Sequence, residues 1–191
     1  MRGNKQIRSL QTELKTRAVE DSPEKYIEGY FVVFNQETEL WPGAIEVIAP
    51  TAFDETLSDD VRALINHDTT LVLGRTKAGT LELKADTYGL WGRIKINPND
   101  TDAMNLYERV SRGDVDQCSF GFNVLDETTE WREDGTVKWT VNKVKLWEVS
   151  PCTFPAYEQT GIQARKAEVE EHQRRMLDAR KSKLKERLKN A

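Results

Sequence analysis

The feature that most constrains this chain is a succession of short apolar runs, rich in β-branched and aromatic residues, which turn residues separate. Runs of this length and composition are typical of β-strands. They cover residues 26–34, 45–48, 61–65, 71–73, 80–84, 90–96, 118–125 and 137–149. The dipeptide Asp134-Gly135, between the last two runs, predicts the tip of a hairpin.

Two helices are predicted between these strands. Residues 51–57 would form two turns that bury Phe53 and Leu57. Residues 102–112 repeat their apolar side chains at helical spacing, so this second helix has the clearer pattern.

The ends of the second helix can also be predicted. Thr101 is a suitable N-cap, and Gly113 can end the helix in a left-handed conformation. Many short strands with two intervening helices predict a mainly β (α+β) domain, a small barrel or sandwich with helices packed outside it.

Charge divides the chain into three parts. Residues 1–21 carry five Lys/Arg against three acids, residues 22–163 carry thirteen against twenty-four, and residues 164–191 carry ten against five. We therefore expect a flexible basic N-terminal arm over 1–22, one folded domain over 23–163, and a charged helical or disordered tail over 164–191. The acidic domain argues against a broad nucleic-acid-binding surface, although the basic ends could contact an acidic partner.

Several classes of protein are disfavoured. No run of about 18 apolar residues could cross a membrane, and the basic N-terminus lacks the apolar stretch of a secretory signal. The two cysteines, Cys118 and Cys152, do not make a disulfide framework, and two histidines give no zinc-binding spacing. A reducing, cytoplasmic setting without metal or cofactor is the expectation.

His67 is the single histidine of the predicted domain, because His172 lies in the charged tail. It follows the predicted strand 61–65, and strand ends that open into loops often carry catalytic groups. Imidazole exchanges protons near neutral pH, so His67 is a candidate general base. The alternative is a loop histidine that is hydrogen-bonded to the backbone.

Ser119 lies in a strand whose other face is apolar. Strand alternation puts Cys118, Phe120 and Phe122 on a core face, and puts Ser119 and Gly121 on the opposite, accessible face. Glycine at that position lets another backbone approach closely, as an extended peptide would require. The alternative is an ordinary strand with a polar outer face.

Glu148 continues an apolar row near the end of the last predicted strand. A carboxylate there would be costly if it were buried without a partner, so we expect a hydrogen-bond donor beside it. An imidazole N–H would serve, since an orienting carboxylate fixes the tautomer of a catalytic base. A salt bridge to Lys143 or Lys145 is the alternative.

Four stretches in this order resemble the prohead maturation proteases of tailed bacteriophages. They are residues 28–34 (EGYFVVF), 50–57 (PTAFDETL), 66–68 with 73–76 (NHD and LGRT), and 119–122 (SFGF). A later stretch, residues 148–157, adds to them. The resemblance covers about residues 25–160 and implies the fold of the herpesvirus capsid assembly proteases, a β-barrel wrapped by helices.

The resemblance implies a serine endopeptidase, with His67 and Ser119 matching the catalytic pair of the family. The herpesvirus relatives use a second histidine as the third member. This domain has none to offer, which favours Glu148; Asp68 is a rival that its adjacency to His67 makes geometrically awkward. Arg75 could help to hold the oxyanion, or could pair with an acid of the domain instead.

The implied substrate is a scaffold protein, or the scaffold-like arm of the major capsid protein, inside an assembling prohead in the host cytoplasm. Self-cleavage and a homodimer or higher oligomer are further expectations, with no membrane and no specific nucleic acid as partner. The tail is expected to be either a docking segment or a self-cleavage segment. Three alternatives stay open: Cys118 as the nucleophile, a non-enzymatic capsid or scaffold assembly component, and metal-dependent hydrolysis.

Overall fold

A computed structural model describes residues 5–11, 14–18, 24–154 and 159–189 of the chain. The predicted domain boundary near residues 20–23 and the last part of the 148–157 motif, residues 155–157, lie outside these ranges. The described residues form the following elements in chain order: β1 (Gln6–Gln11), β2 (Lys15–Ala18), β3 (Lys25–Val33), β4 (Thr38–Trp41), β5 (Ala44–Ile48), β6 (Arg62–Ile65), β7 (Asp68–Arg75), β8 (Leu81–Ala85), β9 (Gly89–Ile96), α1 (Thr101–Arg112), β10 (Gln117–Trp131), β11 (Val137–Cys152) and α2 (Gln159–Lys189). Short 3-10 turns at Pro50–Phe53 and Thr76–Ala78 complete the set.

The strands form two sheets, so the predicted mainly β class is confirmed. In one sheet the order is β1-β10-β11-β5-β4, with β6 pairing β11 and β7 pairing β6. In the other it is β2-β3-β9-β8. Among the described residues β1, β4 and β7 end the first sheet and β2 and β8 end the second, so neither closes and the predicted barrel is not confirmed.

The long hairpin of β10 and β11 is the centre of the larger sheet. Its tip is the turn predicted at Asp134-Gly135, where Gly135 has φ 86°. Cys118, Phe120 and Phe122 of β10 are buried in the main core, as alternation along the strand predicts. The opposite face of the same strand segment carries the candidate site.

Helix α1 buries the predicted stripe, which consists of Ala103, Leu106, Tyr107 and Val110. Gly113 ends it with φ 81°, as expected. The N-cap, however, is Asp100 rather than Thr101: the Asp100 carboxylate accepts hydrogen bonds from the backbone N–H groups of residues 102 and 103.

The predicted helix over 51–57 is shorter than expected. The 3-10 turn ends at Phe53, which is fully buried, whereas Leu57 is only partly buried. Beyond Phe53 the chain continues as turns, in which the N–H groups of Thr56 and Leu57 donate to the Phe53 carbonyl. The Thr56 hydroxyl accepts from the backbone N–H of Leu146 at 2.9 Å, and so ties this segment to β11.

The N-terminal segment differs most from its prediction. Where the sequence predicts a flexible arm over 1–22, β1 pairs with β10 and β2 pairs with β3. Gln6 and Arg8 are buried polar side chains, so β1 lacks the apolar alternation by which a strand is recognised.

The charged tail, for which the sequence left a helix or disorder open, lies in the helix α2 over the described residues. Leu177 and Leu184 of its thin apolar stripe are exposed, and α2 contacts the rest of the chain near its start. There Arg165 and Val169 are buried, and His172 stacks on Trp131 with 3.8 Å between ring centroids. None of the helices in the described ranges is long and apolar enough to span a membrane.

Candidate active site

His67 is presented by the two-residue turn that joins β6 to β7. Asn66 and His67 have φ 50° and 63°, the left-handed conformation of a type I′ hairpin turn. Two hydrogen bonds attach this turn to the end of β11: the Asn66 N–H donates to the Pro151 carbonyl at 3.1 Å, and the Asn66 side chain accepts from the Thr153 N–H at 2.9 Å. The turn therefore holds the imidazole over β11.

The imidazole of His67 meets the carboxylate of Glu148. His67 Nδ1 lies 2.8 Å from Glu148 Oε1. The Ser150 hydroxyl donates to Glu148 Oε2 at 2.7 Å, and Lys5 Nζ lies 3.1 Å from Oε1. An ionised carboxylate can only accept, so Nδ1 carries a proton and Nε2 of the neutral ring is the acceptor. That is the tautomer which a general base requires.

Glu148 is buried and yet ionised. Burial acts to raise its pKa, but the hydrogen bond and charge of His67, together with Ser150 and the Lys5 cation, outweigh burial and hold the pKa of Glu148 below its usual value. The predicted need for a partner is thus met by imidazole. Lys143 and Lys145 pair instead with Glu55 and Asp59.

Gly121 lies directly opposite Glu148 in the β10–β11 pair. A Cβ added at this position would overlap Glu148 Oε1 and the Lys5 Cε. From the sequence we expect a substrate backbone to occupy this space. The carboxylate and the lysine stem occupy it here, so Gly121 is needed for the position of Glu148 itself.

Ser119 is on the same sheet face, one strand away from this group. It lies opposite Ser150 of β11 on one side and opposite Ser9 of β1 on the other. Its hydroxyl donates to the Arg8 carbonyl at 2.8 Å, and the Ser9 hydroxyl lies 3.0 Å away. The prediction that this face is accessible is wrong: alternation is as expected, but Ser119 is 0% exposed and contacts Arg8 and Ser9 of β1.

The histidine and the serine are neighbours on one face without a direct bond. In the part of the chain that the structure describes, no hydrogen bond joins His67 to Ser119; the second ring nitrogen, Nε2, lies 3.7 Å from Cys152 Sγ. Burial and the charge of Glu148 raise the pKa of the Cys152 thiol to about 12. The other thiol, Cys118, is fully buried in the core on the opposite face.

The two remaining polar candidates, Arg75 and Asp68, form their hydrogen bonds with residues outside the site. Arg75 forms a paired ion bridge with Asp60, at 2.7 Å and 2.5 Å, and this bridge lowers the pKa of Asp60 to about 2. Arg75 lies opposite Arg62, which lies opposite Glu148, so two strand spacings, about 10 Å, separate its backbone from Glu148. Of the two roles that the sequence leaves open, the ion pair is the one observed.

Asp68, the rival to Glu148, accepts hydrogen bonds from the backbone and hydroxyl of Thr70 and is exposed. Its carboxylate therefore serves the local turn and not the imidazole.

Four contributors to the site are absent from the sequence prediction: Lys5, Ser9, Ser150 and Cys152. Ser150 and Cys152 could have been found, because they lie two and four residues after Glu148 in one strand and so share its face. Lys5 and Ser9 could not, since nothing in the sequence specifies that β1 pairs with β10.

Comparison with known proteins shows the family of this chain. A family model described as caudovirus prohead serine protease matches residues 12–175. The chain belongs to this family. The prohead protease of Enterobacteria phage HK97 is 31% identical over 161 residues, which cover 82% of this chain and 66% of that protease. This chain thus spans slightly less than two thirds of that relative. No solved structure matches it significantly.

Proposed function

We propose that this protein is a serine endopeptidase of phage prohead maturation, with Ser119 as nucleophile, His67 as general base and Glu148 as the residue that orients the base. The observation that carries the proposal is the His67–Glu148 hydrogen bond of 2.8 Å on the sheet face that also holds Ser119. Membership of the prohead serine protease family supports the same reaction class.

The chemistry follows from the tautomer. Glu148 keeps the proton on Nδ1, so Nε2 can accept the Ser119 proton as Oγ attacks the carbonyl carbon of the scissile peptide. The imidazolium then gives that proton to the leaving amine, and the carboxylate stabilises the cation. A water molecule, activated by the same nitrogen, releases the acyl group from Ser119.

Catalysis requires two local changes. The Ser119 hydroxyl must release the Arg8 carbonyl, and His67 Nε2 must turn from Cys152 Sγ towards Ser119 Oγ. Catalytic hydrogen bonds are often long or absent in proteins without substrate and form in the substrate complex. Ser119 is favoured over Cys152 because the matching family is described as serine proteases.

The proposed substrates are the scaffold protein of the phage, or the scaffold-like arm of its major capsid protein, and the protease chain itself. The proposed place of action is the assembling prohead in the host cytoplasm, with the protease as a homodimer or higher oligomer. The relative from phage HK97 is named a prohead protease, which supports a capsid-associated substrate.

The test is co-expression of the full chain with the scaffold and capsid proteins of its phage, followed by mass measurement of the fragments. Ser119→Ala and His67→Ala should abolish cleavage, whereas Ser111→Ala, at an exposed position of α1, should leave it intact. Full processing by folded Ser119→Ala protein would contradict the proposal and favour a non-enzymatic assembly component.

A thiol nucleophile is tested separately. Cys152→Ser and Cys118→Ser should both retain cleavage and should both retain reaction of Ser119 with a fluorophosphonate. Loss of cleavage in Cys152→Ser, combined with full cleavage by Ser119→Ala, would transfer the nucleophile to Cys152.

A further inference from the structure

Strand β1 occupies the edge of β10 that a peptide substrate would need. It pairs with β10 from Gln6 opposite Phe122 to Gln11 opposite Gln117, with Ser9 opposite Ser119. An extended peptide that presents a carbonyl to Ser119 would add to this edge as a strand. The edge is already filled by the chain's own residues.

Three successive same-face positions of this segment lie against the candidate site. Lys5 pairs with Glu148 at 3.1 Å, Ile7 lies opposite Gly121, and the Ser9 hydroxyl contacts Ser119. The segment thus meets both the nucleophile and the carboxylate that orients the base.

The backbone of β1 also engages the nucleophile. Ser119 Oγ donates its proton to the Arg8 carbonyl oxygen at 2.8 Å, so this proton is directed to a carbonyl oxygen and not to His67. In this arrangement Ser119 is 0% exposed and is not hydrogen-bonded to His67.

The other face of β1 is fixed by a buried ion pair. Arg8 Nε lies 2.5 Å from Glu46 Oε1 and Arg8 Nη2 lies 3.0 Å from Oε2. Glu46 is shared with Arg165 of α2 at 2.8 Å, so the start of the C-terminal helix contributes to the attachment of the N-terminal strand.

We infer that β1 is a built-in inhibitory strand, which occupies the substrate's place beside Ser119 and must leave β10 before the enzyme can act. This inference rests on the proposed function. It identifies the form described here as the latent one, and assigns release of β1 as the step that switches the protease on.

The first test loosens β1 in the full chain. Ile7 is buried in β1 at 7% exposure, and Ile7→Asp places a carboxylate there that is costly to bury. Reaction of Ser119 with a fluorophosphonate, followed by mass spectrometry, should become faster by about tenfold or more. Leu125→Asp, at an exposed position of β10 beyond the β1 pairing, is the matched control and should react at the wild-type rate.

The second test fixes β1 in place. Gln11 and Gln117 are directly paired, and paired residues of antiparallel strands lie at Cα separations of about 4.5–5.5 Å, within disulfide range. Oxidised Gln11→Cys/Gln117→Cys protein should lose Ser119 labelling, and a reductant should restore it. Thr128→Cys/Thr140→Cys, a paired position in the distant part of the same hairpin, should label equally in both states.

The outcomes separate this inference from the proposed function. Circular dichroism and thermal unfolding show whether each variant is folded. Equal labelling of wild-type, folded Ile7→Asp and oxidised double-cysteine protein would overturn the inhibitory role while leaving Ser119 as the nucleophile. Folded Ile7→Asp protein that stays unlabelled would also overturn the inhibitory role of β1. In that case the proposed function would be upheld independently if the wild-type protein cleaves the scaffold and Ser119→Ala abolishes that cleavage.

Discussion

His67 has a positive-φ backbone conformation, which is uncommon for residues other than glycine. In a type I′ turn both central residues have positive φ, and glycine is the usual choice at the second. Asn66 suits the first position, but His67 at φ 63° stores about 1–2 kcal/mol of backbone strain. Strain of this kind is tolerated at functional sites, where the side chain is needed in one place.

Two substitutions of His67 should distinguish the effect of losing the imidazole from the effect of relieving the backbone strain. His67→Ala and His67→Gly both remove the base, so both should abolish Ser119 labelling. His67→Gly should nevertheless be more stable than His67→Ala by about 1 kcal/mol, because glycine adopts positive φ without cost. Urea unfolding measures the difference.

The control for this pair is a position where glycine is unfavourable. At Asn105, an exposed position inside α1, the glycine variant should be less stable than the alanine variant by about 1 kcal/mol. If glycine is no better than alanine at position 67, the turn is not strained.

Glu148 should make the stability of the protein depend on acidic pH. Its pKa is held below the usual value, so its contribution to the free energy of unfolding is present above the usual glutamate pKa of about 4.3 and is lost as the pH falls through the lower folded-state value. Urea unfolding of wild-type and Glu148→Gln protein as a function of pH should show their difference shrink below about pH 4. A difference that stays constant down to pH 3 would contradict the pKa direction.

At the scale of elements, hydrogen bonds from side chain to backbone decide where segments begin and end. Thr56 ties the chain after Phe53 to β11. The Asn66 side chain attaches the β6–β7 turn to Thr153, beyond the end of β11. Asp100 caps α1 in the place predicted for Thr101.

The identity of the cap can be tested directly. Asp100→Ala should lower the free energy of unfolding by about 1 kcal/mol, because two backbone N–H groups lose their acceptor. Thr101→Ala, at the first helical residue, is the matched control. It should change the free energy of unfolding by only about a few tenths of a kcal/mol. Equal losses, or a larger loss for Thr101→Ala, would restore the sequence-based assignment.

At the scale of the whole molecule, a buried cluster of charges joins both ends of the chain to the larger sheet. Glu46 of β5 accepts from Arg8 of β1 and from Arg165 of α2, and Arg165 also contacts Glu127 at 2.8 Å. Buried ion pairs are strongly interdependent, because removal of one partner leaves the others buried without compensation.

Glu46→Ala should therefore destabilise the protein by about 3–5 kcal/mol and should increase amide exchange in both β1 and α2. The exposed pair of Arg175 and Glu171 supplies the control: Glu171→Ala should cost about 0.5 kcal/mol or less. Increased exchange in β1 alone, with α2 unchanged, would show that Arg165 does not couple the two ends.

Much of the site could be predicted from local pattern. Alternation along β10 assigned Ser119 and Phe120 to opposite faces, and the position of Glu148 in an apolar row predicted a hydrogen-bonding partner. Both inferences need only the period of a strand and the cost of burying a charge. The mainly β class and the α1 stripe follow in the same way from periodicity.

The covering of Ser119 was decided by tertiary structure alone. β1 is held by the buried polar residues Gln6 and Arg8 rather than by an apolar stripe, so the sequence of residues 1–22 indicates a solvated arm. The acid that neutralises Arg8 is Glu46, 38 residues away, and a pairing over that separation leaves no periodic signal in either segment. The sequence by itself thus determined the faces on which Ser119 and Glu148 lie, because strand alternation fixes them. The fold decided that Ser119 is buried and that Lys5 and Ser9 join the site, because both depend on the long-range pairing of β1 with β10.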